Sequence, residues 1–342
     1  MPNPDAPENF VNLPFEKPSF DFVEKNLKYV VLLGIGGSSR GTRAIYEALR
    51  PTTKILFLET VDPEQLKETA ELLNSLKPED FLINAISKSG KTLETTTNLE
   101  FLLENVPAAK NRLVITTVEN SPMYKTYQTL NVRILTMPKW ISGKFSVFTN
   151  VGLFPLACAG IDIKSLLEGA ASADENVARE SAQRIFNEMK NGKTIHNLFV
   201  FEPKLEFFGK WYEQLLSESL GKDGKGVTPT TSVGTMDLHS KTQLDLGGPK
   251  DKLFTFLRVE SAGKNSGLPG AVKDALYFAA KKSYENKVPV AEIILPEISE
   301  KTLGNLMQTK MLEVSLLANM LGINPFGQPD VEEYKKLAID NL

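Results

Sequence analysis

The stretch FLINAISKSGKTLETTTNLEFLLE, residues 81–104, constrains the fold of this chain more than any other. Residues 81–86 form a short, mostly apolar run of strand length. Ser87-Lys88-Ser89-Gly90-Lys91-Thr92 follow directly, and then apolar residues return at helical spacing. A strand buried on both faces reads as such a run, and it belongs in a parallel sheet covered by helices. A polar turn leading from that strand into a helix suits a small anion, because the first N–H groups of a helix lack partners and carry partial positive charge. Ser and Thr add short donors, and Gly90 lets the backbone come close. Taken alone, the turn is equally well read as a capped helix after a strand. A nucleotide P-loop is not supported, since that motif needs a glycine where Ala85 stands.

The surrounding chain repeats the same unit. Strands are expected at 29–33, 54–58, 112–117 and 132–136, with helices over 41–50, 63–76 and 92–103; Asp62-Pro63 makes a good helix start. Strands alternating with helices predict an α/β, mainly parallel sheet in a three-layer arrangement. Ligands in such sheets bind beyond the carboxyl ends of the strands. A second polar turn lies at such an end, Gly34-Ile35-Gly36-Gly37-Ser38-Ser39, so one anion can be held from two loops. This loop also carries part of a dinucleotide fingerprint, with Glu59 ending the next strand where a ribose-binding acid is expected. Ser39 occupies the place of its third glycine.

A second alternation follows a change of character near residue 164: a strand at 196–201, a helix at 205–220, a strand at 253–259, a helix at 270–285 and a strand at 288–295. A long helix over 302–321, the turn Asn324-Pro325-Phe326-Gly327-Gln328-Pro329 and a terminal helix over 331–338 complete the chain. The expected domains are an N-terminal arm (1–22), a first α/β domain with the anion loops (23–163), a second (164–300) and C-terminal helices (301–342). Over 342 residues the net charge is −3, which gives no reason to expect a nucleic-acid partner. The single cysteine, Cys158, lies in an apolar run and reads as a buried small hydrophobe. With His196 and His239 as the other soft ligands, no structural zinc site is expected. No signal segment and no membrane-spanning run is visible, so a cytoplasmic location is expected.

Six blocks in order carry a resemblance to the phosphoglucose isomerase family: GIGGSS (34–39), SKSGKTLET (87–95), SGKFSVF (142–148), WYEQLLSESLGK (211–222), GTMDLHSKTQ (234–243) and NPFGQPDVEEYK (324–335). The first two are shared with sugar isomerase (SIS) domains in general, and the later ones are more specific. The resemblance implies two doubly wound SIS domains with the active site at their junction and no metal or organic cofactor. It also implies a homodimer in which the neighbouring subunit contributes the histidine. The implied reaction is the glycolytic and gluconeogenic interconversion of glucose 6-phosphate and fructose 6-phosphate through a cis-enediol(ate).

Residue by residue, the resemblance assigns Ser38, Ser87, Ser89 and Thr92 to the substrate phosphate, in agreement with the reading of both loops. Glu218 is the implied base moving a proton between C2 and C1, and Gln214 precedes it by one helical turn. His239 matches the ring-opening histidine, and Lys335, with Lys336 one step away in register, the lysine at the ring oxygen. Gly37, Lys88 and Gln328 match further substrate contacts. Lys144 stands where the family pattern has an arginine that stabilises the enediolate; it keeps the charge but not the planar fork. His196 matches nothing and reads as structural. Two alternatives remain: a bifunctional phosphoglucose/phosphomannose isomerase, and a non-catalytic sugar-phosphate-binding SIS regulator. A regulator needs the phosphate loops but has no use for Glu218, His239 and Lys335. An oxidoreductase leaves the 87–92 turn unexplained.

Overall fold

In the computed structural model, which describes residues 5–130, 132–260 and 267–341, the chain divides into two compact units. The first comprises Met1–Ala173, Lys204–Trp211 and Pro296–Gln308, and the second Asp174–Pro203, Tyr212–Leu295 and Thr309–Leu342. Four residues of the expected 1–22 arm lie outside the described residues; of the rest, Pro7–Phe15 forms 3-10 turns, with Phe10 stacked on Phe145 at 4.6 Å.

The first unit is built on a parallel sheet of β1 (Tyr29–Leu33), β2 (Lys54–Leu58), β3 (Phe81–Ser87), β4 (Leu113–Thr117) and β5 (Arg133–Thr136), in the order β2-β1-β3-β4-β5. All seven residues of β3 are buried, as the apolar run required. The one polar residue within that run, Asn84, donates to the Val114 carbonyl and to Thr116 Oγ1, both at 3.1 Å. Val31, Leu33, Ile83, Ala85 and Ile115 pack against Leu66, Leu73, Leu99 and Leu102 of the helices Pro63–Ser75 and Leu93–Asn105. Full burial of each large apolar side chain contributes about 1.5–3 kcal/mol. The strand order reverses between β1 and β3, and Leu33 pairs with Ala85. The loops after these two strands therefore leave neighbouring carboxyl ends in opposite directions, the arrangement that opens a ligand crevice.

The second unit holds β6 (Ile195–Val200), β7 (Thr228–Val233), β8 (Lys252–Val259) and β9 (Val290–Leu295), all parallel, in the order β7-β6-β8-β9. Phe199, Phe201, Phe254 and Phe256 pack with Tyr277 and Tyr284, and the Phe201 and Tyr277 rings meet edge-on at 4.8 Å. The strand β7, sequence TPTTSV, has no counterpart in the sequence expectation. It lies at the sheet edge, where Pro229 is tolerated. Its hydroxyls on Thr230 and Ser232 accept from the Asn197 amide at 2.8 and 2.9 Å. No described helix is long and apolar enough to cross a membrane.

Candidate active site

In the first unit, the turn after β3 is held by its own hydroxyls. Ser87 Oγ lies 2.8 Å from Thr92 Oγ1 and accepts the Gly90 N–H at 3.1 Å, while Ser89 Oγ accepts the Lys91 N–H at 3.2 Å. Thr117 Oγ1, at the end of β4, donates to the Ser87 carbonyl at 2.6 Å and fixes the turn to the sheet. Gly90 has φ +65°, and a Cβ there would stand 2.8 Å from both the Met123 nitrogen and Ser121 Oγ. Conformation and space both require glycine.

Helix starts in this unit differ. Asp62 caps Pro63–Ser75 by accepting the Glu64 and Gln65 N–H groups at 3.0 and 3.2 Å. Thr92, in the equivalent position before Leu93–Asn105, makes no side-chain cap and turns its hydroxyl to Ser87. The helix start beside the exposed Ser89 thus keeps the electropositive character that an anion uses.

The glycine loop follows β1, the neighbour of β3 in the sheet. Half-buried Ser38 closes the short turn Gly36–Ser38. Gly37 lies flat against the backbone of Gly143, and a Cβ on Gly37 would fall 2.3 Å from the Gly143 carbonyl carbon. Ser146 Oγ donates to the Gly143 and Gly37 carbonyls at 2.7 and 3.3 Å, tying the two turns together. The turn Gly143–Phe145 carries Lys144, which is only 2% exposed. Lys88 is anchored beside it, donating to the Ile141 carbonyl at 2.6 Å. Burial, and secondarily the nearby Lys139 charge, hold the Lys88 ammonium below its ordinary pKa. Glu59, the acid a dinucleotide would need, is engaged by Ser39 Oγ at 2.6 Å and by Arg43.

In the second unit, the helix Glu206–Leu220 brings Gln214 and Glu218 to one face, four residues apart. Gln214 Nε2 donates to Glu218 Oε1 at 2.7 Å, and Gln328 Nε2 donates to Glu218 Oε2. A hydrogen bond to a charged group contributes about 1.5–3 kcal/mol, enough for the pair to select one rotamer of the carboxylate. Gln328 reaches the helix because Lys222 Nζ donates to the Asn324 carbonyl at 2.6 Å. Burial depresses the Lys222 pKa, with Glu218, Asp223 and Asp330 acting in the opposite sense. His239 is exposed on the short helix Met236–Ser240, which Asp237 braces by accepting from the Val233 N–H, Ser240 Oγ and Lys241 Nζ. Lys335, on the helix Glu332–Asp340, pairs with Glu332 at 2.8 Å. His196 is buried in β6 against Thr255 Oγ1 at 2.9 Å. Among the described residues, no group of three or more His, Cys, Asp or Glu is placed to hold a metal.

A buried ionic cluster in the second unit escapes the sequence reading. Glu313, fully buried, pairs with Lys310 at 2.5 Å and accepts from Tyr212 Oη at 2.5 Å and from Ser181 Oγ. Lys310 was legible in principle, because it continues the apolar stripe of Leu303, Leu306, Met307, Met311 and Val314.

The fold is that of the sugar-phosphate isomerase class. It superposes on a hypothetical protein from Thermus thermophilus with a TM-score of 0.84 at 28% identity, covering 100% of this chain and 91% of that one. It superposes on a glucose-6-phosphate isomerase from Chlamydia trachomatis with a TM-score of 0.77 at 22% identity, covering 98% and 71%. Sequence narrows the class. The family model Phosphoglucose isomerase matches residues 21–249. A glucose-6-phosphate isomerase of Methanocaldococcus jannaschii is 34% identical over 90% of this chain and 82% of its own, and one of Mycoplasmopsis synoviae is 34% identical over 92% and 82%. This chain belongs to the phosphoglucose isomerase family.

Proposed function

We propose that the protein interconverts glucose 6-phosphate and fructose 6-phosphate, as an aldose–ketose isomerase working by proton transfer through a cis-enediolate. Family membership supports the reaction. The observation that carries its chemistry here is the Glu218 carboxylate, held from both sides by the amides of Gln214 and Gln328.

In this reading Ser38, Ser87, Ser89 and Thr92 receive the phosphate, with the Lys88 ammonium and the Gly37 backbone beside them. His239 and Lys335 move protons between the ring oxygen and the C1 hydroxyl during ring opening; neutral imidazole serves as both acid and base near neutral pH. Glu218 takes the proton from C2 of the open-chain aldose. The C2–H electrons form the C1–C2 double bond, and the C1 carbonyl oxygen takes up the negative charge. The C2 hydroxyl proton passes to the C1 oxygen, and returning the first proton to C1 while C2 becomes the carbonyl carbon gives the ketose, with no atom gained or lost. Lys144 opposes the enediolate charge, and its burial makes that interaction stronger than in water. Domain limits at 22, 163 and 300 frame this assignment, with the phosphate loops in the first SIS domain and the base and histidine in the second.

We further propose a homodimer in which His239 serves the neighbouring subunit, and a cytoplasmic location. The exposure of His239 supports the first, as does the run of exposed Leu268, Val272 and Leu276 at four-residue spacing along Gly267–Glu285. A single, buried cysteine suits a reducing compartment.

The test is a coupled assay for glucose 6-phosphate formed from fructose 6-phosphate, with Glu218→Gln alongside. Turnover in the wild type that disappears in the variant is expected; turnover that survives it removes Glu218 from the role of base. Mannose 6-phosphate in the same assay decides the bifunctional alternative. Mixed dimers of Glu218→Gln and His239→Ala should recover activity if the histidine is shared, and confirmed mixed dimers without recovery refute sharing.

A further inference from the structure

We propose that Tyr212, through its hydrogen bond to buried Glu313, is a positioning residue for the base Glu218. The inference rests on the isomerase reading above and concerns how the base is held.

Two elements bracket the Glu218 carboxylate: its own helix, which supplies Gln214, and the segment after the helix Glu300–Leu321, which supplies Gln328. The Gln328–Glu218 and Lys222–Asn324 hydrogen bonds tie the two elements at their ends. The Tyr212–Glu313 hydrogen bond ties the two helices to each other in the buried interior. Tyr212 precedes Glu218 on the same helix, and Glu313 lies on the helix that leads to Gln328.

Tyr212 is gripped on every side that matters. Its hydroxyl donates to Glu313 Oε1 at 2.5 Å, Lys310 Nζ lies 5.1 Å over its ring, and the His196 ring meets it edge-on at 5.8 Å. Glu313 uses its second oxygen for Lys310 and for Ser181 of the helix Glu175–Lys190. Burial, the largest influence, pushes the Glu313 carboxyl up, but Lys310, Ser181 and Tyr212 together hold it below the ordinary carboxylate range. A charged carboxylate in this setting accepts strong, directional bonds, and with both Glu313 oxygens engaged it has few alternative arrangements. Three elements are thereby locked to the base-bearing helix. Loosening the lock lets Gln328 drift from Glu218, and a displacement of about 1 Å in a reacting group costs up to about a hundredfold in rate.

The experiment compares glucose 6-phosphate with its C2-deuterated form in wild type, Tyr212→Phe and Ser181→Ala. Tyr212→Phe keeps the ring and its packing and removes the hydroxyl. It should lower kcat about tenfold or more while KM stays within about twofold, because the loss falls on the transition state. The deuterium isotope effect on kcat should rise, since proton abstraction becomes slower relative to the other steps. Ser181→Ala should move both quantities in the same direction by less, and it decides the matter alone if Tyr212→Phe does not fold. A purely structural role predicts lost folded protein with an unchanged isotope effect, and that result overturns the proposal. So does wild-type kcat in both variants. Absence of turnover in the wild type itself overturns the isomerase reading and this inference with it, and is distinguished by the wild-type measurement.

Discussion

Gly37→Ala isolates the contact between the glycine loop and the turn that carries Lys144. Gly37 does not occupy the left-handed region, so alanine meets no backbone penalty and the substitution tests space alone. The new Cβ would stand 2.3 Å from the Gly143 carbonyl carbon and 2.6 Å from its oxygen. Relief to ordinary contact near 3.4 Å needs roughly 1 Å of separation, and both neighbours are backbone, so no side chain can swing aside. Overpacking of this kind costs about 1–3 kcal/mol. Functionally, the shift moves Ser38 and Lys144 apart, and a misplacement of about 1 Å corresponds to a loss of about a hundredfold in kcat/KM. Urea unfolding gives the first number and the coupled fructose 6-phosphate assay the second. Unchanged stability together with kcat/KM within about twofold of wild type would show that the two turns need not touch, and would refute the reasoning.

Other outcomes follow from single contacts. Lys144→Ala should lower kcat far more than it raises KM; equal losses in both would point to ground-state binding in place of charge stabilisation. Gly90→Ala, at φ +65° with no space for a Cβ, should raise KM for phosphorylated sugars and destabilise by at least about 1 kcal/mol, measured by urea unfolding. Burial holds the His196 imidazole near a pKa of about 4, whereas the unfolded ring titrates near about 6.5. Between those values the unfolded chain binds a proton that the folded chain refuses, so stability present above about 6.5 is lost as pH falls toward 4. The full loss is on the order of 3 kcal/mol. A His196→Gln protein with the same pH dependence of unfolding would sink this. Burial pushes the Cys158 thiol up to about 12, and a thiol reagent should label it only at the rate of unfolding; rapid labelling of the native protein argues against that burial.

The fold was legible where burial left a local trace. The run at 29–33 coincides with β1, because a central parallel strand must be apolar throughout, and the run at 54–58 coincides with the edge strand β2, where only Lys54 is polar and exposed. The strand β7 left no such trace. Its hydroxyls answer the Asn197 amide and its proline sits at an edge, so pairing and not apolar burial defines it. The turn between β3 and the helix Leu93–Asn105 could be read from strand, turn and helix in sequence. Glu218 could not, since alone it resembles a solvated acid near a helix end and its partner Gln328 is 110 residues away. Lys310 and Glu313, three residues apart, have the spacing of an ordinary surface pair. The apolar stripe places Lys310 inward, and only tertiary packing shows Glu313 buried with it.

The partial dinucleotide fingerprint has a physical resolution. Ser39 breaks the third glycine position, and its hydroxyl donates to Glu59, the acid that fingerprint would reserve for a ribose. The departure from the motif and the redeployment of its acid are thus one interaction. Glu59 also takes the Arg43 guanidinium, which stacks over Phe207 at 4.0 Å and Phe57 at 5.1 Å. An acid held this way braces the loop that carries Ser38 and has little left for a ligand. Glu59→Gln should therefore weaken the Arg43 pair and raise KM for the sugar phosphate, with kcat less affected. It should not alter nicotinamide-dinucleotide binding measured by calorimetry. Wild-type dinucleotide affinity in the micromolar range, about −8 kcal/mol, that falls on this substitution would reverse the assignment and return Glu59 to the ribose.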